Sequence, residues 1–315
     1  MDSTVTLLIP TRNRPSSVDR LLNSLKVHGY LQRQGFSVLV VDDSSDNATA
    51  DICQKYQVNH LPGLHQGKSA AMNLAIEHIT SEFVAFLDDD VVVLDDQWLD
   101  KLLRNFTSDD IAYVSGKVVA YELTTPAQIK WEKKGALNKG DHRLEFGSEF
   151  FHKPRLTGVP LTLFTMGANH IVRKQVLDLV GAHDARFGPG CSVGGASGDI
   201  DLSYKILRQG FTVIYDPEAK IAHCHPEEMS DLHSKIFHYG VADTAIHTKF
   251  LIEFGDLRSA GQLLFRPSQQ LWRLIRSLVR RYPLPPTVLL GGIVGNFIGP
   301  FAYLKVTITE RARRV

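Results

Sequence analysis

Three consecutive aspartates, Asp88, Asp89 and Asp90, separate two apolar runs, Phe83–Leu87 and Val91–Val93. An apolar run rich in Val and Phe is typical of a strand buried on both faces. Open α/β sheets bind their ligands at the carboxyl ends of such strands. Adjacent carboxylates repel one another unless a cation neutralises them, and Mg²⁺ or Mn²⁺ bound jointly by carboxylates and substrate phosphates would do so. A solvated acidic turn is the alternative that this motif leaves open by itself.

Two further acidic motifs lie where the chain is expected to change from one element to the next. Asp42 and Asp43 follow a second apolar run, residues 37–41, and Asp199 and Asp201 open a segment with helical character. Carboxylates also cap helices and favour their N-terminal ends, so both pairs have a structural interpretation. For Asp42 and Asp43 we favour ligand binding, because the pair follows a buried strand.

Apolar runs alternate with amphipathic segments along the first two thirds of the chain. The apolar runs predict strands, and the segments between them predict helices, one of them capped by Ser16 or Ser17. Predicted strands cover residues 5–9, 37–41, 83–87, 111–121 and 211–215, and predicted helices cover residues 18–25, 48–56, 70–79, 94–106, 176–180 and 199–208. This alternation indicates an α/β fold with a mostly parallel, Rossmann-like sheet flanked by helices. The carboxyl ends of its strands would bring the first two aspartate motifs to one crevice.

The sequence lacks the signals that are typical of several functional classes. Gly67-Lys68-Ser69 has no glycine at the upstream position that a P-loop requires, and no G-x-G-x-x-G motif is present. A formal net charge of +1 gives no general reason to expect a nucleic-acid partner. The three cysteines, Cys53, Cys191 and Cys224, are too widely spaced to suggest a disulfide framework. The N-terminal residues lack the features of a signal peptide, so we expect a cytoplasmic protein.

The ordered motifs resemble the family-2 inverting glycosyltransferases of the GT-A fold, and among them a bacterial rhamnosyltransferase-like group. The resemblance covers about the first three quarters of the chain and rests on the order and spacing of the motifs, each of which is weak alone. The matching segments are residues 8–14, 40–46, 67–73, 86–90, 166–169, 198–202 and 210–223. The resemblance implies a nucleoside-diphosphate sugar as donor and Mn²⁺ or Mg²⁺ as cofactor.

The resemblance also implies roles for residues that would bind the donor. Asp90 would be a direct metal ligand, and Asp88 would contact the ribose or metal-bound water, with Asp89 between them in the nucleotide-sugar site. Asp43 would accept a hydrogen bond from a pyrimidine ring, supported by Asp42, which favours a UDP or dTDP donor. The loop that lines the nucleotide would be formed by Pro10, Thr11 and Arg12.

The remaining implied roles concern the reaction and the metal. Asp199 occupies the position of the general base, although Gly198 stands where the family usually has Glu. His223 would complete the metal site, with a loop histidine that binds nothing as the alternative. Lys68 is a candidate for contact with phosphate, and a solvated charge is its alternative.

The C-terminal part of the chain differs in character, so we divide the chain into a catalytic domain at 1–230 and a helical region at 231–315. Arg273, Arg276, Arg280 and Arg281 recur among apolar residues, which predicts a basic amphipathic helix. Residues 287–304 are then almost entirely apolar. Two interpretations stay open: a peripheral contact at the cytoplasmic face of the membrane, near a lipid-linked or glycan acceptor, or a buried hairpin or homo-oligomer interface.

These observations favour a metal-dependent glycosyltransferase acting in polysaccharide or glycolipid synthesis. One alternative is a nucleotidyltransferase of related fold, which usually has a glycine-rich, basic loop after the first strand in place of Pro10-Thr11-Arg12-Asn13. The other alternative is an inactive sugar-binding subunit, which the glycine at position 198 leaves open.

Overall fold

A computed structural model describes residues 4–135 and 137–314 of the chain. The start of the N-terminal segment, from which we predict the absence of a signal peptide, therefore lies outside the described residues. Within them, nine strands form one sheet. The strands are β1 (Val5–Thr11), β2 (Phe36–Asp42), β3 (Asn59–Pro62), β4 (Phe83–Leu87), β5 (Val91–Val93), β6 (Ile111–Ala120), β7 (Leu144–Phe146), β8 (Asn169–Arg173) and β9 (Thr212–His223).

The strand order is β3-β2-β1-β4-β8-β6-β9-β5, and β7 pairs with β9. The four strands β3, β2, β1 and β4 are parallel neighbours, while β8 runs against both β4 and β6. Because β6 and β9 are parallel to each other, the described sheet is mostly parallel, with β5, β7 and β8 in the opposite direction. The prediction of a GT-A-like α/β fold with a C-terminal helical region is confirmed.

Eleven helices accompany the sheet in the described part of the chain. They are α1 (Pro15–Val27), α2 (Ala48–Tyr56), α3 (Lys68–Glu77), α4 (Trp98–Leu103), α5 (Pro126–Lys134), α6 (Ser148–His152), α7 (Lys174–Val180), α8 (Gly198–Arg208), α9 (Met229–Phe254), α10 (Arg258–Leu278) and α11 (Pro286–Arg314). Buried side chains from both faces of the sheet form two large clusters, as expected for strands covered by helices on both sides.

The structure corrects three local predictions. Strand β1 does not end before Pro10 but continues to Thr11. Its pairing with β4 ends at Leu8, so from Pro10 onward the strand pairs only with β2, and the missing N–H of proline is tolerated there. The first helix is not capped by Ser16 or Ser17: it begins at Pro15, whose missing N–H costs nothing in the first turn. Strand β8 begins at Asn169, in a segment where the sequence analysis predicted no strand before the helix at 176–180.

The C-terminal helices pack against the central sheet. Ala245, Ile246 and Phe250 of α9 and Tyr303 of α11 belong to the same buried cluster as Val84 of β4. The division at residue 230 stays a prediction, since helix α9 begins at Met229 and contributes to the core on the other side of that boundary.

Candidate active site

The parallel strands β2, β1 and β4 end at one edge of the sheet and bring the acidic motifs together. Asp43 directly follows β2, Thr11 ends β1 and Asp88 follows β4. A cleft of about 1530 Å³ opens at this edge. It is lined by nearly all of the predicted site residues, namely Pro10, Thr11, Arg12, Asp43, Lys68, Asp88, Asp89, Asp90, Asp199 and His223.

The two aspartates at the end of β2 have different surroundings, and only Asp43 lines the cleft. Asp42 does not line the cleft; its carboxylate accepts a hydrogen bond from the N–H of Ser44 at 3.0 Å and lies 3.3 Å from His60 Nε2. Asp43 is buried, and its Oδ2 accepts a hydrogen bond from the N–H of Gly67 at 3.0 Å. The other oxygen, Oδ1, is buried without a hydrogen-bond partner. Asp43 therefore has one acceptor to offer to a ligand.

The first two aspartates of the triple motif are held by basic or hydroxyl groups. Asp88 pairs with the Lys68 ammonium at the start of α3, which holds the pKa of Asp88 below its ordinary value against the opposing effect of burial. Asp89 accepts hydrogen bonds from Thr11 Oγ1 at 2.7 Å and from Arg14 Nη1 at 3.3 Å. Burial, followed by repulsion from Asp90, raises the pKa of Asp89 to about 6.

The third aspartate lies beside His223 because of the pairing between β5 and β9. Val91 is opposite His223 in this antiparallel ladder, and the N–H of Cys224 donates to the backbone oxygen of Asp90 at 2.8 Å. Asp90 Oδ1 lies 3.4 Å from His223 Nε2 and is buried without a hydrogen-bond partner. Burial lowers the pKa of His223 to about 4, so the ring is neutral at pH 7. Its Nδ1 lies 3.2 Å from His225 Nδ1, which leaves Nε2, beside Asp90, as the nitrogen that could bind a cation.

Asp199 faces the same cleft from the first turn of α8. A Cβ atom at Gly167 would lie 2.9 Å from Asp199 Oδ2, so a larger residue at position 167 would displace this carboxylate. Burial raises the pKa of Asp199 above its ordinary value, although the positive charge of Lys68 opposes this shift. A carboxylate with a raised pKa is a stronger base, which suits proton abstraction.

Asp201, one half-turn further along α8, has a different environment. It is fully buried, pairs with the ammonium of Lys249 on α9 and lies 3.2 Å from the nitrogen of Lys205. Lys249 also lies 2.6 Å from Asp184, which in turn binds Arg186. Asp201 therefore connects α8 to α9 and does not face the cleft.

Some cleft residues have no role assigned in the sequence analysis. Arg14 donates from Nη1 to Asp90 Oδ2 at 3.1 Å as well as to Asp89. The sequence could have indicated this contact, because Arg14 lies in the loop after β1, next to the predicted site residues. Basic and aromatic side chains of the helices also line the cleft, among them Lys134, Lys235 and Tyr239. The sequence did not indicate that these residues line the cleft, because they come from α5 and α9, which lie far apart in the chain.

Two ligand types fit this geometry. Asp43 lines the cleft and has a buried oxygen without a hydrogen-bond partner, which could accept a hydrogen bond from a ligand, and the pair of Asp90 and His223 offers oxygen and nitrogen ligands to a divalent cation. Among the described residues, no group of three or more His, Cys, Asp and Glu side chains is arranged to hold a metal ion, so protein atoms would supply only part of the coordination. Comparison with known proteins identifies the family to which this fold and this acidic sheet edge belong.

The sequence pattern described as "Glycosyl transferase family 2" matches residues 6–180. The chain belongs to glycosyl transferase family 2. It is 29% identical over 243 residues to the pre-mycofactocin glycosyltransferase of Mycobacterium tuberculosis, which is 75% of this chain and 46% of that protein. It is 26% identical over 236 residues to the succinoglycan biosynthesis protein ExoM of Rhizobium meliloti, covering 70% of this chain and 67% of ExoM. The chain thus spans about half the length of the first of these relatives.

Solved structures show the same fold. The mannosyltransferase PcManGT from Pyrobaculum calidifontis, in complex with GDP-Man and Mn²⁺, superposes with a TM-score of 0.62 at 16% identity, covering 94% of this chain and 88% of that one. Mannosyl-3-phosphoglycerate synthase from Rubrobacter xylanophilus gives a TM-score of 0.51 at 15% identity, covering 80% and 75%. The bacterial rhamnosyltransferase-like subgroup has no support beyond family 2 itself.

Proposed function

We propose that this protein is an inverting, metal-dependent glycosyltransferase that moves a hexose or deoxyhexose from a nucleoside-diphosphate sugar to an acceptor hydroxyl. The observation that carries the proposal is the convergence of Asp43, Asp90 and Asp199 on one cleft, with unpartnered buried oxygens on the first two. Family membership supports sugar transfer over nucleotidyl transfer.

The donor would lie along the ends of β1, β2 and β4. Asp43 Oδ1 would accept the ring N–H of uracil or thymine, which present the same hydrogen-bonding edge, with Asp42 holding the turn behind it. Pro10, Thr11 and Arg12 line the cleft beside Asp43 and would contact the nucleotide. The Lys68 ammonium, already paired with Asp88, would also face the diphosphate.

The acidic edge fits a divalent cation such as Mn²⁺ or Mg²⁺. Asp90 Oδ1 is a buried acceptor without a partner, and the neutral His223 ring has its Nε2 beside it while its Nδ1 contacts His225. Asp90 and His223 would hold the ion directly, and Asp88 would bind a metal-bound water or the ribose. The bound ion would stabilise the negative charge that develops on the leaving diphosphate.

Asp199 would act as the general base. Its carboxylate would take the proton from the acceptor hydroxyl as that oxygen forms a bond to the anomeric carbon, on the face opposite the breaking bond to the diphosphate. Attack from that face inverts the configuration of the sugar. The raised pKa of Asp199 suits this role, since the group binds a proton more readily than a solvent-exposed aspartate.

Comparison of wild type with Asp199→Asn tests the proposal. With Mn²⁺ and UDP-, dTDP- and GDP-sugars supplied in turn, we expect wild type to release a nucleoside diphosphate and Asp199→Asn to lose about 10²–10⁴-fold in rate while it still binds the nucleotide. Asp178→Asn, an exposed aspartate of α7 paired with Lys174, is the matched control and should keep full activity. Turnover at the wild-type rate by Asp199→Asn would remove this residue from the mechanism, and pyrophosphate release from a nucleoside triphosphate would overturn the proposed reaction.

We further propose that the C-terminal helices hold the enzyme at the cytoplasmic face of a membrane, where a lipid-linked or glycan acceptor is used. Among the described residues, one helical stretch, Pro286–Glu310, has the length and the mean hydropathy, 1.5, that a membrane span would need, and 39% of its apolar window is buried in the protein. Length and composition alone are weak support, because core helices share them. Exposed apolar side chains on α10 and α11 add to it, and a homo-oligomer interface is the competing use of the same surface.

A further inference from the structure

One wall of the cleft carries a group of basic side chains that the proposed reaction does not use. We call this group the cationic wall, and it comes from α5, the loop that follows α5, α9 and α10. Its members all line the cleft: Lys134, Lys139, Lys235, Arg266 and Arg273. Like charges brought into one cleft repel one another, and this costs folding free energy unless an opposite charge is bound.

Aromatic rings hold two members of the wall in place. The nitrogen of Lys134 lies 4.6 Å from the centre of the Trp131 ring, and that of Lys235 lies 4.8 Å from the same ring. Tyr239 packs beside Trp131 with ring centres 5.8 Å apart and lies 5.9 Å from Lys134. Cation–π contacts of this kind orient an ammonium group without neutralising its charge.

The wall differs from the basic groups on the donor side of the cleft in lacking direct carboxylate partners. Within the described part of the chain, none of its five members forms an ion pair, whereas Arg14 and Lys68 on the donor side pair with the triple aspartate. Arg266 Nε is buried without a hydrogen-bond partner. Five basic groups that line one cleft without a direct ion-pair partner indicate a site that is completed by an anion.

The position of the wall separates it in part from the donor edge. Lys139 is within electrostatic reach of Asp199, and Lys235 is within reach of Asp88 and Asp90, so the wall begins beside the proposed reaction centre. For Lys134 the carboxylate with the largest effect is instead Asp243 of α9, which also lines the cleft. Burial, together with repulsion from Arg273, lowers the pKa of Lys134 to about 7, and a bound anion would favour its charged form.

We infer that the cationic wall binds an anionic group, phosphate or carboxylate, on the acceptor substrate. This inference rests on the proposed function, because it assigns the acceptor end of the same cleft. An anionic group bound by Lys134, Arg266 and Arg273 would leave a neighbouring hydroxyl of the acceptor near Lys139 and Asp199. Neutral saccharides lacking that group would bind weakly, so the wall would determine acceptor specificity.

Binding measured by calorimetry separates this inference from the catalytic proposal. With Mn²⁺ and saturating UDP present to fill the donor site, glucose, glucuronate and glucose 6-phosphate are titrated in turn. We expect at least one charged saccharide to bind at least tenfold more tightly than glucose. Tighter binding of glucuronate would indicate a carboxylate on the acceptor, and tighter binding of glucose 6-phosphate would indicate a phosphate. The titrations are repeated without UDP, so that they report on the wall even if the donor site prefers another nucleotide.

Variants then test the residues. The double variant Lys134→Gln/Arg273→Gln should bind the charged saccharide at least tenfold more weakly than wild type. The variant Lys134→Arg/Arg273→Lys should keep the wild-type affinity, because charge rather than shape is required. Lys133→Gln, an exposed lysine of the same helix, is the matched control. Equal binding of glucose and both charged saccharides, or wild-type binding by the double glutamine variant, would overturn the inference alone. Charged-saccharide binding that disappears once UDP is present would assign the wall to the donor diphosphate and overturn it as well.

Discussion

The acidic side chains around the cleft are distinguished by what each one contacts. Asp199 and Asp201 lie two residues apart on one helix, yet the first faces the cleft and the second is buried against Lys249. The residue types alone could not separate a base from a structural acid, because both suit the first turn of a helix. The sequence did predict Asp199 as the base, through the resemblance of the surrounding motif.

The environment of Asp199 leads to a prediction about pH. Burial raises its pKa, and Lys68 partly opposes that effect. The value of kcat/KM should therefore fall as the pH is lowered through a pKa above the ordinary range of aspartate, since the protonated carboxyl cannot accept a proton. Lys68→Met removes the nearby positive charge, so the acidic limb of the pH profile should move to higher pH in this variant.

Lys174→Met provides the control for this experiment, because Lys174 pairs with Asp178 on α7, outside the cleft. Its pH profile should match that of wild type. An acidic limb that stays in place or moves to lower pH in Lys68→Met would show that another group controls the limb.

A second prediction at this scale concerns Asp43. In Asp43→Asn the amide oxygen can still accept the N–H of Gly67, but an NH₂ group would then replace the unpartnered oxygen Oδ1. Two donors would face each other when a pyrimidine ring binds, so the affinity for UDP or dTDP should fall by about 10–100-fold, or about 1–3 kcal/mol. Titration with UDP, dTDP and GDP checks this, and an equal loss for all three nucleotides would contradict a contact specific to pyrimidines.

At the scale of elements, the strands that form the acidic edge were predictable and the helical wall was not. The apolar runs at β1, β2 and β4 are continuous because these strands are buried on both faces, and such runs are easily recognised. Residues 123–161 are mixed and polar, so α5 and β7 gave no periodic signal. Helix α5 begins instead with a capping box formed by Thr125 and Gln128.

Helices α9 and α11 pack closely through glycines. A Cβ atom at Gly295 would lie 2.3 Å from the backbone oxygen of Phe237, and one at Gly240 would lie 2.3 Å from that of Gly292. Asn296 and Thr244 add hydrogen bonds of 2.8 Å across the same contact. Small residues that allow two backbones to approach in this way are common where helices pack in membranes and in other tight helix pairs.

This packing predicts opposite effects for the same substitution at two neighbouring glycines. Gly295→Ala should lower the free energy of unfolding by about 1–3 kcal/mol, because the added methyl group has no space against Phe237. At Gly291 the nearest atom to an added Cβ is 3.9 Å away, so Gly291→Ala should be neutral or stabilise by up to about 1 kcal/mol through helix propensity. Urea unfolding of both variants measures the difference. Equal stabilities would mean that α9 and α11 do not approach closely in solution.

At the scale of the whole molecule, buried ion pairs connect the C-terminal helices to the proposed catalytic helix. Lys249 of α9 pairs with Asp201 of α8 and with Asp184, while Arg186 pairs with Glu253 near the end of α9. The Tyr303 hydroxyl of α11 donates to Glu253 at 2.7 Å. The helical region therefore supports the position of α8 and of Asp199, which no local sequence pattern could predict, since the partners are separated by about 50 residues or more of chain.

The opposite face of the helical region leaves many apolar side chains in solvent. On α11 they follow helical spacing through Leu290, Val294, Phe297 and Phe301, the last of which is 72% exposed. Helix α10 adds Trp272 and further apolar side chains, and exposed arginines follow at positions 276, 280 and 281. Apolar and aromatic residues beside arginines match the boundary of an anionic membrane. A second copy of the chain could instead cover an apolar stripe with this spacing.

Sedimentation with phosphatidylglycerol vesicles decides between these two uses. We expect wild type to sediment with the vesicles, and to do so less at high salt because exposed arginines contribute to binding. Phe297→Ser/Phe301→Ser should remain in the supernatant, since two exposed aromatic anchors are lost. Val27→Ser/Leu179→Ser removes equally exposed apolar groups from α1 and α7 and should sediment like wild type. If wild type instead stays in solution as a dimer that Phe297→Ser/Phe301→Ser converts to a monomer, the stripe is an oligomer interface, and the proposed membrane contact is wrong.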